Sequence, residues 1–163
     1  MDHLWTPWRS TYITSKAERS VCIFCEAARA SLDDAKNLVV YRAALNFVML
    51  NAFPYTNGHI MIAPYDHVSR LGAATPEATT EMMHIARVAE DVLEQTYRPD
   101  GLNLGMNLGE AAGAGIAAHI HLHLLPRWIG DANFMTTVAE TRVMPESLAD
   151  TYRKLRDGFA GRQ

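Results

Sequence analysis

Histidine and aliphatic residues alternate without interruption over His119-Ile120-His121-Leu122-His123-Leu124, and the run closes with Leu125-Pro126-Arg127-Trp128. Successive side chains of a strand point to opposite faces. A period of two therefore predicts a strand over 119–128, with Ile120, Leu122 and Leu124 toward a core and the histidines together on the other face. A helix would turn successive histidines roughly 200° apart and scatter them. Three of the chain's seven histidines thus share one surface. Threonine or serine would fill a merely exposed strand face more cheaply. An imidazole can act as a nucleophile, a phosphate-binding donor or a metal ligand. A central histidine with donors beside it suits attack on phosphorus, the neighbours orienting the attacking nitrogen and stabilising the developing charge.

The remaining patterning supplies partners for that strand. Residues 38–41 and 46–50 are short β-prone runs, and the turn residues Pro54 and Asn57-Gly58 precede a third run, His59 to Ala63, closed by Pro64. Connections this short predict antiparallel pairing. Residues 102–108 alternate as a further strand. Residues 76–97 read as a helix: Thr75 is the expected N-cap, Pro76 suits the first helical position, and Met82, Ile85, Ala89, Val92 and Tyr97 recur near a 3.6-residue period. Met82 and Met83 are expected to fill core, and His84 to be a surface or core histidine. Short helices are expected over 25–30 and 146–159. The sum is an α+β fold, a five-stranded, mostly antiparallel sheet with packed helices.

Composition narrows the function. With 48 % hydrophobic and 20 % charged residues, the 163-residue chain suits a single compact domain over 21–163 and is not intrinsically disordered. Residues 1–20, with Trp5, Trp8 and Tyr12 around Pro7, read as an arm that packs on the body or on a partner subunit. A net charge of −3 gives no reason to expect nucleic acid as a partner. The charge-free windows 43–65 and 111–126 are broken by Pro, Gly, Asn and His, and neither offers the ~20 apolar residues of a membrane span. With no secretory pattern at the start and only two cysteines, a cytoplasmic protein without a membrane partner is expected.

The small residues Gly113, Ala114 and Gly115 lie directly upstream of the histidines and would let a ligand reach backbone N–H groups. Taken with them, residues 119–125 reproduce the signature of the histidine triad (HIT) family, which this chain resembles over most of its length. Leu50-Asn51 and the run from Asn57 to Pro64 resemble further family segments. The resemblance implies a HIT-like fold, a homodimer that extends the sheet, and nucleotidyl transfer at an α-phosphate. His121 would attack phosphorus and form a covalent nucleotidyl-histidine. His119, His123 and His59 would complete the catalytic set, His123 and His59 binding phosphate or orienting the nucleophile. Asn51 would contact ribose, and Phe47 and Leu50 would line the base pocket. Asn107, Gly113, Ala114 and Gly115 would meet phosphates, and Trp128 would pack the adenosine end.

Cys22-Ile23-Phe24-Cys25 leaves its chemistry open from spacing alone: a metal site, two plain thiols and a redox pair all use C-x-x-C. It also resembles the start of zinc-bearing HIT proteins, which implies a structural zinc on Cys22, Cys25, His67 and His119, with His3 as a rival ligand and no organic cofactor. Trp5 to Arg9, Gly105-Met106-Asn107 and residues 126–135 resemble the bacterial diadenosine polyphosphate branch. That branch cleaves diadenosine tetraphosphate with orthophosphate or water as acceptor. Relatives that place Gln or Ser shortly before the triad differ here, where Gly115, Ile116, Ala117 and Ala118 stand. The competing readings are a purine nucleoside phosphoramidase and, in another class, a non-enzymatic nucleotide- or zinc-binding interaction protein.

Overall fold

A computed structural model describes residues 21–30, 32–132 and 145–162; the aromatic arm, the candidate ligand His3 and residues 133–135 lie outside them. Among the described residues, three α-helices, α1 (Ile23–Arg29), α2 (Pro76–Tyr97) and α3 (Leu148–Phe159), accompany five strands. The strands are β1 (Val39–Arg42), β2 (Asn46–Leu50), β3 (Ile60–Pro64), β4 (Gly101–Gly105) and β5 (Leu122–Arg127). Every pairing is antiparallel, in the order β1-β2-β3-β5-β4. The expected α+β sheet is present. Two of its bounds differ by three residues, the others by at most one: the last strand starts at Leu122 rather than at residue 119, and β4 stops at Gly105 rather than at 108.

The strand period sorts side chains to two faces. Val48, Leu50, Ile60, Ile62, Leu122 and Leu124 bury against Met82, Ile85, Ala89 and Leu93 of α2 and Leu155 and Phe159 of α3. Helix α2 begins as its sequence dictates, the Thr75 hydroxyl accepting from the Ala78 N–H at 3.1 Å and Pro76 following it. Met82 is core, whereas Met83 is 51 % exposed; neighbouring positions on a helix lie about 100° apart, so only one can face the sheet. His84 is on the surface. Gly158 lets α3 approach α2, because a Cβ there would stand 2.8 Å from Val92 Cγ1.

The second face carries Val39, Phe47, Met49, Met61 and Ala63. Only part of it is covered, by Phe24 and Ala27 of α1. Arg42 clamps that helix to β1: its guanidinium donates to the Ala27 carbonyl at 2.7 Å and pairs with Asp34 at 2.7 Å. The uncovered remainder of this face is a cleft of about 710 Å³.

Candidate active site and metal cluster

His59, at the entrance to β3, and His121 and His123 around the start of β5 project onto the partly covered face. The register places Met61 opposite His123 and so brings the His59 and His123 rings together. Their direction of hydrogen bonding follows from one fixed donor. The backbone N–H of Tyr55 donates to His59 Nδ1 at 3.2 Å, so a neutral His59 carries its proton on Nε2. That nitrogen lies 2.9 Å from His123 Nδ1 and donates to it, which leaves the His123 proton on Nε2. The Tyr55 ring packs on His59 at 4.7 Å.

The same reasoning orients His121. Its Nδ1 is 2.9 Å from the His119 carbonyl, which can only accept, so Nδ1 carries the proton and Nε2 keeps its lone pair. Both His121 and His123 line the cleft. Burial pushes both below the usual imidazole value, and the neighbouring His121 helps to bring His123 down to about 4. At neutral pH both rings are therefore uncharged, His121 with a free Nε2 lone pair and His123 with an Nε2–H to donate.

His119 takes one of its two expected places, among the candidate metal ligands. Its ring leaves the row of His121 and His123. His119 Nε2 instead donates to the Pro64 carbonyl at 2.9 Å, and its unprotonated Nδ1 lies 3.4 Å from Cys22 Sγ and 3.7 Å from Cys25 Sγ. His67 Nδ1 lies 3.1 Å from Cys25 Sγ. The four ligand atoms of Cys22, Cys25, His67 and His119 fall within 4.8 Å of one another. Two sulfurs and two imidazole nitrogens form a tetrahedral zinc donor set, and the Pro64 carbonyl fixes the His119 tautomer from outside it. Burial and the adjacent Cys22 push the Cys25 thiol above its usual value, and a dication among the four would reverse that. The side chain of His119 therefore belongs to this cluster, and only its carbonyl serves His121.

The other expected site residues divide. Asn51, Asn107, Gly113 and Gly115 line the cleft; Leu50 borders it, but its fully buried side chain packs on the opposite face, against the helices. Asn51 Oδ1 accepts from the Phe53 N–H at 2.9 Å, and its Nδ2 stands 3.4 Å from His59 Nδ1. Asn107 Nδ2 reaches the Gly113 carbonyl at 3.5 Å across a loop that makes one 3-10 turn at Glu110–Ala112. Ala114 turns inward and is 2 % exposed. Phe47 does not line the cleft: it is fully buried, stacked on Tyr65 with centroids 5.4 Å apart. Trp128 follows β5 and meets the edge of Tyr97, on α2, away from the histidines. Sequence reasoning missed Phe24, Tyr55 and Pro64. Phe24 could have been noticed inside the C-x-x-C, whereas a backbone N–H and a backbone carbonyl leave no trace in residue type.

With this geometry established, the comparisons with known proteins are informative. The HIT domain family model matches residues 33–128, and the chain belongs to the HIT family. It is 38 % identical over 166 aligned positions to "AP-4-A phosphorylase" of Mycobacterium tuberculosis, covering 98 % of this chain and 85 % of that protein. It is 29 % identical to the asymmetrical bis(5'-nucleosyl)-tetraphosphatase of Schizosaccharomyces pombe over 76 % of this chain and 68 % of that one. A Zn-bound histidine triad family protein from Mycobacterium smegmatis superimposes with a TM-score of 0.67 at 26 % identity, covering 85 % and 93 % of the two chains.

Proposed function

We propose that this protein is an enzyme that cleaves dinucleoside polyphosphates, diadenosine tetraphosphate above all, at an α-phosphate. The observation that carries the reading is the orientation of His121. Nδ1–H is held by a backbone carbonyl, and the Nε2 lone pair belongs to a ring that lines a cleft large enough for a nucleotide. The relatives named AP-4-A phosphorylase and tetraphosphatase support that substrate class.

In this mechanism His121 Nε2 bonds to the α-phosphorus as the bridging P–O bond to the polyphosphate breaks. ATP leaves and an adenylyl group remains on His121. The His119 carbonyl, already accepting from Nδ1–H, stabilises the positive imidazolium that forms. His123 Nε2–H donates to a non-bridging oxygen, and His59 keeps His123 in that tautomer. An acceptor oxygen then attacks phosphorus and the N–P bond breaks. Orthophosphate gives ADP and water gives AMP. Asn51 would contact the ribose, and Asn107 with Gly113 and Gly115 the phosphate chain.

Gly115, Ile116, Ala117 and Ala118 bring no polar side chain toward a leaving group. A polyphosphate leaves as a stable anion without an acid, whereas an amine must gain a proton, so this loop favours the dinucleotide over a phosphoramidate. Cys22, Cys25, His67 and His119 would hold zinc in a structural role, tying α1 to the entry of β5. Thiolate ligands suit a reducing cytoplasm. β4 is an edge strand with four of its five residues exposed, and a second copy would extend the sheet there as a homodimer.

The test is turnover of diadenosine tetraphosphate with and without orthophosphate, with identification of the products. Phosphate-dependent ADP plus ATP marks a phosphorylase, and phosphate-independent AMP plus ATP a hydrolase. Absence of both overturns the reading.

A further inference from the structure

Phe24 lies between Cys22 and Cys25, so its backbone is bracketed by two members of the metal cluster. Its side chain is fully buried. The ring lies against two histidines of different roles, with centroids 5.1 Å from His119 and 4.7 Å from His121. His123 meets the His121 ring edge-on, also at 4.7 Å. The bond from His121 Nδ1 to the His119 carbonyl fixes the tautomer and one point of the ring. It does not fix rotation of the imidazole about that point. Contacts with the faces and edges of the ring do so, and Phe24 supplies one of them with a planar, stiff side chain.

We infer that Phe24 is a positioning residue for the nucleophile, through which the Cys/His cluster holds the His121 ring in its attacking orientation. The inference rests on the proposal that His121 attacks phosphorus. The metal-bearing helix start is then more than a distant brace. A displacement of Cys22 and Cys25 moves Phe24, and Phe24 moves the reacting nitrogen. Misplacement of a reacting group by about 1 Å costs on the order of a hundredfold in rate, so loss of this contact should be read in kcat rather than in substrate binding.

The test compares wild type with Phe24→Leu and Phe24→Met, which keep an apolar side chain and remove the flat ring. Three readouts are taken: kcat and KM on diadenosine tetraphosphate, bound zinc per chain, and the ring nitrogen and carbon-bound proton NMR signals of His121. Both variants should lose about ten- to a hundredfold in kcat with KM little changed. They should keep their zinc, and the His121 signals should shift and broaden while those of His67 stay in place. Stripping zinc from wild type should move the His121 signals in the same direction. Wild-type kcat with unmoved His121 signals in both variants overturns the inference. So does loss of kcat together with zinc, or outright unfolding of both variants, since Phe24 would then serve only the cluster or the core. A wild type that turns over substrate without an acid-labile adduct on His121 sinks the functional reading instead, and the two failures are distinct.

Discussion

His59 Nε2 stands 2.9 Å from His123 Nδ1, and the Tyr55 N–H on the far side of the His59 ring decides which of the two donates. A peptide group thus sets the proton position on a cleft-lining imidazole two bonds of the relay away. His59 itself is 1 % exposed and is not among the cleft-lining residues. Its contribution passes through His123. His59→Ala should lower kcat about tenfold, and His123→Ala by about a hundredfold or more, as general acid–base groups commonly do. The double variant should be little worse than His123→Ala alone, because residues acting as a unit are not additive. A double-variant cycle on kcat measures this, and simple multiplication of the two losses would refute the relay.

His121→Ala should remove turnover by a factor of about a thousand or more, while the circular dichroism spectrum and the metal content stay those of wild type. The ring's hydrogen bond goes to the neighbouring backbone, and the Phe24 side chain it touches is also held by the apolar cluster of Val39, Phe47, Met49 and Met61. Retention of the wild-type rate would exclude His121 as the nucleophile.

Gly58 adopts φ +76°, and a Cβ on it would stand 2.9 Å from Tyr97 Cε2 and 3.0 Å from Pro126 Cγ. Gly58→Ala combines left-handed strain with a clash against two core-packed rings. It should cost about 2 kcal/mol or more. Urea denaturation reads the loss; an unchanged midpoint would mean that the turn before His59 adapts freely.

Acid should weaken the fold through His123. Its folded value is depressed to about 4, against about 6.5 for an unfolded histidine. Between those values the unfolded chain binds more protons than the folded one, so stability is greatest above pH about 6.5 and falls as pH drops toward 4. His123→Gln removes the titrating group. The loss of unfolding free energy between pH 7 and pH 5 should be smaller in that variant than in wild type; equal losses would place the acid sensitivity elsewhere.

Cys25→Ser should lower zinc content, since Cys25 Sγ lies near both His67 and His119. Hydrogen exchange should then quicken over residues 23–29, with α2 unaffected because no ligand comes from that helix. Full zinc retention in the variant would show that the cluster is not the metal site.

Patterning alone placed most of this architecture, because each element carries a local cause. Thr75 and Pro76 open α2 at the expected residue, and the alternation of Leu122 and Leu124 with His121 and His123 chooses the face correctly. What failed was longer in range. Nothing near His119 chooses between its two expected places, the row with its neighbours and the cluster with Cys22, 97 positions earlier. Phe47 is implied for the base pocket by the family resemblance. It points to the same face as Met49, but at the end where Tyr65 covers it. Trp128 directly follows β5, where Tyr97 takes it. Periodicity reports a face, and only the assembled sheet says what occupies each part of that face.

The Cys/His cluster draws on residues 22, 25, 67 and 119, so it closes only when widely separated parts of the chain have met. During synthesis from the N-terminus, the two cysteines emerge early and must wait for His119. His121 emerges two residues after that last ligand. A ribosome that has released enough chain to complete the cluster has almost simultaneously released His121. The order of translation therefore withholds a finished cluster from every fragment that lacks the His121 imidazole, apart from chains ending at 119 or 120.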